Sequence, residues 1–255
     1  MRIISYFILL CLAFGSGGCI DLQQDKDTLF QVSTITALLN GDYKGAMTFG
    51  ELKRHGTFEI GIFVGLDGEV IGLDGKFYQI RADGIAYPVP DSMTAPFAVV
   101  IPFEAYKTVS VQDITNYEAL QRTVEGLIPD KTIFYAIKID GTFSYIKARG
   151  VPKQKEPYPP LVEAVKDQTV FEFHDVKGTI VVFWCPDSAK GVNVPDYHLH
   201  LSQQAERPEV TSSRVASSRQ PLILTTPRHC IWYCSSTMTQ LPSPSAPRTA
   251  VPNCT

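Results

Sequence analysis

Apolar and polar residues alternate along much of this chain with a period of two. Residues 58–63, 69–73 and 76–80 read as three consecutive strands, because alternation and β-branched or aromatic content favour a pleated, half-buried surface. Asp67-Gly68 and Asp74-Gly75 separate them, and Asp-Gly suits the positive-φ positions of a tight turn. Residues 96–103 are an apolar run of strand length. Residues 132–139 and 142–149 predict a further hairpin around Asp140-Gly141. Two more strands are expected near 170–173 and 179–184, and a last one at Tyr197-His198-Leu199-His200-Leu201. Helical signals are fewer. Thr48-Phe49-Gly50-Glu51 has the form of a capping box opening a short helix that stops at Gly56. Residues 112–128 place Ile114, Tyr117, Val124 and Leu127 close to one helical face, and Pro129-Asp130 ends that helix. Residues 161–166 predict a short third helix. Strands outnumber helices and do not alternate with them, so the fold class is α+β, built on mixed, mostly antiparallel sheets.

The segment KQKEPYPP, residues 153–160, is a proline-rich connector and the best candidate boundary between a first domain, 27–151, and a second that begins at 152–201. Residues 1–19 stand apart. Arg2, the apolar run from Ile3 to Phe14 and the small residues before Cys19 have the form of an export signal, too short for a membrane span. An exported protein, secreted or lipid-anchored at Cys19, is expected; a cytoplasmic protein with a buried N-terminal element is the alternative. A formal net charge of −3 leaves no electrostatic footprint for nucleic acid or a basic membrane patch. Cys230 and Cys234 lack a matching second pair, so neither a zinc knuckle nor a disulfide framework is read from the six cysteines.

Candidate chemistry begins at His198 and His200. In an extended strand, residues two apart point to the same face, so both imidazoles can aim at one point. Two converging neutral imidazoles are a common start for a zinc site. They are equally compatible with two exposed strand histidines.

The segments LFQVSTITALLNGDY, MTFGELKRHG, GLDGEVIGLDGKFYQI, KARGVPKQKEPYPPL, FEFHDVKGTIVVFW and AKGVNVPDYHLH occur in order over residues 29 to about 201. This stretch closely resembles the acetolactate decarboxylase family. The resemblance implies zinc-dependent removal of carbon dioxide from 2-acetolactate to give acetoin, with zinc held by three histidines. It implies His198 and His200 as two of those ligands, and Glu69 and Arg149 as active-site residues. It makes a homodimer plausible. At Gly61-Ile62-Phe63 the family usually has Thr at the middle position, so a polar contact is expected to be missing.

The resemblance ends near Leu201. All 18 glycines and all 14 phenylalanines precede residue 202, and residues 202–255 are rich in Ser, Thr and Pro. The family's third histidine falls on Thr211. Pro208-Glu209-Val210-Thr211 must be encoded CCN GAR GTN ACN; read from each third base, this permits Gly-Gly-His. The same frame permits Ser-Arg-Lys just upstream, and an apolar strand across residues 228–234. One lost base near codons 201–204 would therefore make the tail an out-of-frame translation, leaving the second domain incomplete, poorly folded after Leu201 and nearly inactive. The alternatives are a non-catalytic binding protein or surface lipoprotein that kept the scaffold, and an inactive frameshifted product.

Overall fold

The computed structural model describes residues 28–112, 114, 116–203, 220–225 and 229–233. The export segment 1–19 with Cys19, and Thr211, lie outside them. Strand β1 (Thr28–Val32) is followed by α1 (Ile35–Leu39), whose cap residue Thr34 accepts the Ala37 amide at 3.2 Å. β2 (Met47–Thr48) leads into α2 (Phe49–Leu52). There Thr48 Oγ1 accepts the Glu51 amide at 3.2 Å and Glu51 Oε2 accepts the Thr48 amide at 3.0 Å, so the capping box read from the sequence is formed. Each such cap is worth about 1 kcal/mol. β3 (Phe58–Ile62), β4 (Glu69–Leu73) and β5 (Lys76–Ile80) form the expected meander, with Asp74 and Gly75 at φ 51° and 75° in its second turn. β6 (Ala86–Pro88), β7 (Thr94–Ala95), β8 (Phe97–Ile101) and β9 (Lys107–Val111) precede α3 (Tyr117–Leu127). β10 (Tyr135–Gly150), α4 (Leu161–Ala164), β11 (Thr169–Cys185), β12 (Asp196–Gln203), β13 (Gln220–Thr225) and β14 (His229–Tyr233) complete the order.

Two sheets result. The first runs β14-β1-β8-β3-β4-β5-β6 and the second β12-β11-β10-β13-β9; β2 and β7 pair separately. Among the described strands only β1 and β14 pair in parallel, which agrees with the α+β class of mostly antiparallel sheets. Phe58, Ile60, Ile62 and Ile71 from the first sheet pack with Ala136, Val181 and Phe183 from the second. The other face of the first sheet, with Phe30, Val70, Phe77 and Val100, packs against Phe49 and Leu52 of α2. The other face of the second sheet, with Tyr135, Ile137 and Trp184, packs against Val124 of α3. Period-2 alternation in the central strands thus feeds two apolar layers at once. Burying a side chain such as Phe58 or Phe183 contributes roughly 2–3 kcal/mol.

Several expectations are corrected. Asp140-Gly141 is not a turn: β10 runs through it as one 16-residue strand against the 17-residue β11, so residues 170–173 and 179–184 also belong to a single strand. Neither Asp140 nor Gly141 has the positive φ that Asp74-Gly75 adopts. Gly141 instead faces Gly178, and Thr179 donates its hydroxyl to Asp140 Oδ1 at 2.6 Å. The start of the second predicted helix, at 112, moves to Tyr117, because Asn116 is extended and its side chain caps the Ala119 amide at 2.8 Å. The proline-rich connector does not part the sheets. β9 and β10 precede it yet belong to the second sheet, while Gln154 N donates back to Gly65 O at 2.6 Å beside the first. Beyond Leu201, where no ordered strands were expected, β13 inserts between β10 and β9 and β14 lies along β1. Pro221 sits opposite Ser110 and, lacking an N–H, gives that ladder no donor.

Glu59 is an unusual feature of the layer under α2. It is fully buried, and neither carboxylate oxygen has a hydrogen-bond partner. Burial pushes its carboxyl well above the ordinary range, opposed only by the Lys53 charge. A carboxyl raised in the folded state holds its proton there after the unfolded chain has released it. Its contribution to stability is therefore full below the unfolded value near 4.5 and is lost as pH rises towards the folded one. Glu59→Gln should remove that loss. Denaturant midpoints of wild type and variant are expected to agree at pH 4 and to diverge in the variant's favour as pH rises, on the order of 1 kcal/mol per pH unit at first. Parallel profiles would contradict this.

Candidate active site

β12 lies on the edge of the second sheet, with His198 opposite Phe183 and His200 opposite Val181. Its residues alternate as the sequence predicts. Tyr197, Leu199 and Leu201 join the layer under α3, where Tyr197 donates its hydroxyl to Gln121 O at 3.2 Å. His198 and His200 turn the other way, towards the first sheet.

His200 is 9% exposed, and its Nδ1 lies 2.9 Å from the backbone oxygen of Val70 on β4. A carbonyl can only accept, so Nδ1 carries the proton and Nε2 keeps its lone pair. That Nε2 lies 3.2 Å from Nε2 of His198 and 3.5 Å from Oε2 of Glu69. The two rings are 4.9 Å apart and nearly perpendicular, at 81°. His198 Nδ1 is enclosed without a partner. Burial, with the charge of His200 adding to it, pushes the His198 imidazole down to about 3, so it stays neutral at ordinary pH.

This pair fits a metal ion. Two nitrogens each about 2.0–2.1 Å from a tetrahedral ion stand roughly 3.3–3.4 Å apart, close to the separation seen here. Backbone hydrogen bonding of the distal nitrogen is also the usual way a ligating imidazole is oriented. Among the described residues, no group of three or more His, Cys, Asp or Glu side chains is arranged to hold a metal. The donor set legible here is the histidine pair, with Glu69 beside it.

Glu69 opens β4 directly after a tight turn. Gly68 has φ 93°, and a Cβ there would stand 2.4 Å from Ile80 O, so the turn needs glycine. Gln79, buried in β5, donates its amide to Asp67 O, and Lys153 of the connector pairs with Asp67 at 3.1 Å. The glutamate is therefore aimed inward and is not a solvated turn residue; its side chain is 31% exposed. Burial raises its carboxyl, and the neighbouring His200 partly offsets that. Ile62 is buried directly opposite Glu69 and offers it no hydroxyl.

Arg149 is the penultimate residue of β10, exposed, and opposite Val170. It lines the same cavity of about 1220 Å³ as Glu69, His198 and His200. The fold thus brings all four sequence-predicted residues to one cavity, three of them within direct reach of each other. Sequence reasoning missed Phe143, Tyr145, Phe171 and Phe173, which also line this cavity from the outer half of the β10–β11 ribbon. Their alternation was present in the sequence, but the turn expected at Asp140-Gly141 hid the ribbon that carries it. Arg81 was missed as well.

A neutral His198 has a measurable consequence. Between about pH 6.5 and pH 3 the unfolded chain takes up a proton at this residue and the folded chain does not. Its contribution to stability is full above 6.5 and is lost as pH falls through that window, on the order of 1 kcal/mol per pH unit. In metal-free protein, the His198 ring carbon resonances should show no titration between pH 8 and pH 5. A midpoint near 6.5 would contradict the enclosed environment.

Comparison with known proteins bears on this arrangement. The family model described as alpha-acetolactate decarboxylase matches residues 29–207. A Methanosarcina mazei protein named alpha-acetolactate decarboxylase is 52% identical over 69% of this chain, and the match spans only 61% of its own length. Relatives of the same name from Methylococcus capsulatus and Bacillus licheniformis are 46% and 44% identical, with 71% of each covered. The crystal structure of alpha-acetolactate decarboxylase from Bacillus subtilis superposes with a TM-score of 0.75 at 35% identity, over 83% of this chain and 90% of that one.

Proposed function

The chain belongs to the alpha-acetolactate decarboxylase family, and on that footing we propose that it converts 2-acetolactate to acetoin and carbon dioxide in the cavity between its sheets. The observation that carries the proposal is that His198 Nε2 and Glu69 Oε2 both lie within 3.5 Å of His200 Nε2, at a cavity that also holds Arg149. His198 and His200 would hold a zinc ion. Such an ion supplies a Lewis acid for the oxygens that carry negative charge when the carboxyl group leaves.

The protein's own groups account for the rest. Breaking the C–C bond to the carboxyl group leaves its electron pair on the substrate carbon, and that carbon must then gain a proton. Glu69, with its carboxyl raised by burial, can hold a proton at Oε2 for that transfer. The Arg149 guanidinium can bind the leaving carboxylate in a two-pronged contact and so fix which bond aligns for cleavage. Ile71 and Ile80 line the cavity with apolar surface, which limits water around the developing charge. Glu69→Gln should lower the rate of acetoin formation by about 100-fold or more while the substrate still binds.

Two further readings extend the proposal. Family position assigns the third ligand to residue 211, which is Thr here. A single lost base near codons 201–204 accounts for that and for the composition change, and leaves the chain as written with an impaired site. The competing reading is a scaffold that binds a small hydroxy acid without turnover. Export through residues 1–19, anchoring at Cys19 and a homodimer belong to the same proposal. Resequencing codons 201–211, together with an acetoin assay on the frame-restored protein, tests it. A missing base and zinc-dependent acetoin production are expected. An intact frame, with no turnover from the restored protein, would overturn it.

A further inference from the structure

Charge in the cavity is distributed unlike charge in the rest of the chain. The whole protein carries a net charge of −3, yet among the described residues Glu69 is the only acid lining the cavity, beside three permanent cations, Arg81, Lys147 and Arg149. Lys147 lies 3.9 Å from the carboxylate of Glu172 and is partly neutralised. Neither Arg81 nor Arg149 makes an ion pair among the described residues.

Arg81 is placed by the elements that place the candidate catalytic groups. It follows Ile80, the residue paired with Glu69 across β4 and β5. Its Cα lies 3.1 Å from where a Cβ on Gly68 would stand, and its carbonyl oxygen 4.0 Å from where one on Gly150 would stand. Gly68 precedes Glu69 and Gly150 follows Arg149, so the Arg81 backbone runs between the two. The guanidinium lies 4.8 Å above the Tyr87 ring, and Tyr87 donates its hydroxyl to Asp83 Oδ2 at 2.8 Å. Asp83 is the nearest acid in sequence. Its other oxygen accepts the Ile85 amide at 2.8 Å, and although it forms no ion pair with Arg81 its carboxylate feels the Arg81 charge. Ring stacking holds the guanidinium without cancelling its charge.

Resting on the decarboxylase reading, we propose that Arg81 is a second cation of the cavity, one that recruits the carboxylate of a small 2-hydroxy acid and selects it over the neutral hydroxyketone product. An entering anion meets two guanidiniums and a single acid among the described lining residues. After carbon dioxide leaves, the neutral product has no group for Arg81 to hold. Affinity for substrate without matching affinity for product follows from that difference in charge.

The test uses 2-hydroxy-2-methylpropanoate, which has the carboxylate and tertiary hydroxyl but no ketone and cannot be decarboxylated, with acetoin as the neutral probe. Affinities would be measured calorimetrically on the full chain at two salt concentrations, with thermal midpoints alongside. Arg81→Ala should weaken the carboxylate about tenfold, flatten its salt dependence and leave acetoin affinity and the thermal midpoint unchanged. Arg81→Lys should recover part of the loss. Equal carboxylate affinity in wild type and Arg81→Ala would overturn the role of Arg81 alone. Equal losses for both probes would also overturn it, since shape rather than charge would then be at work. A wild-type protein that binds no carboxylate would overturn both this inference and the decarboxylase reading beneath it.

Discussion

The hydrogen bond from His200 Nδ1 to the Val70 carbonyl joins the two sheets at the point where chemistry is possible. The carbonyl belongs to a β4 backbone already fixed between β3 and β5, so the imidazole inherits the rigidity of a central strand. It also settles which nitrogen is protonated and turns the free lone pair towards His198 and Glu69. The apolar layer between the sheets keeps β4 and β12 at the required spacing. Val181, opposite His200, and Ile71, next to Val70, are both buried in it. Stability and site geometry therefore share one set of contacts.

The site draws its parts from distant regions of the chain, and each is oriented by a local rule. Pleat alternation aims the histidines. A glycine-dependent turn, tied to the connector through Asp67 and Lys153, aims Glu69. The long ribbon of β10 and β11 delivers Arg149 and aromatic side chains that line the cavity. Ile62, buried opposite Glu69, offers it no hydroxyl.

Much of this was legible in the sequence. The meander over residues 58–80, the capping box at Thr48 and the shared face of His198 and His200 follow from periods of two, cap chemistry and turn chemistry, all local. Asp140-Gly141 was misread because the same dipeptide serves as a turn at Asp74-Gly75; what distinguishes them is Gly178 on the facing strand, information that no local window contains. Assignment of β9 and β10 to the second sheet was hidden for the same reason, since pairing partners there are far apart in the chain. Glu69 and Arg149 came from family resemblance rather than from spacing. Arg81 was invisible until the fold placed it between them.

X-ray absorption on the zinc-loaded protein tests the central claim most directly, that His198 and His200 share one ion through their Nε2 atoms. The account predicts a first shell containing two imidazole nitrogens at about 2.0–2.1 Å in the chain as written, reduced to one by His198→Ala. A shell without imidazole scattering, or one that His198→Ala leaves unchanged, would contradict it.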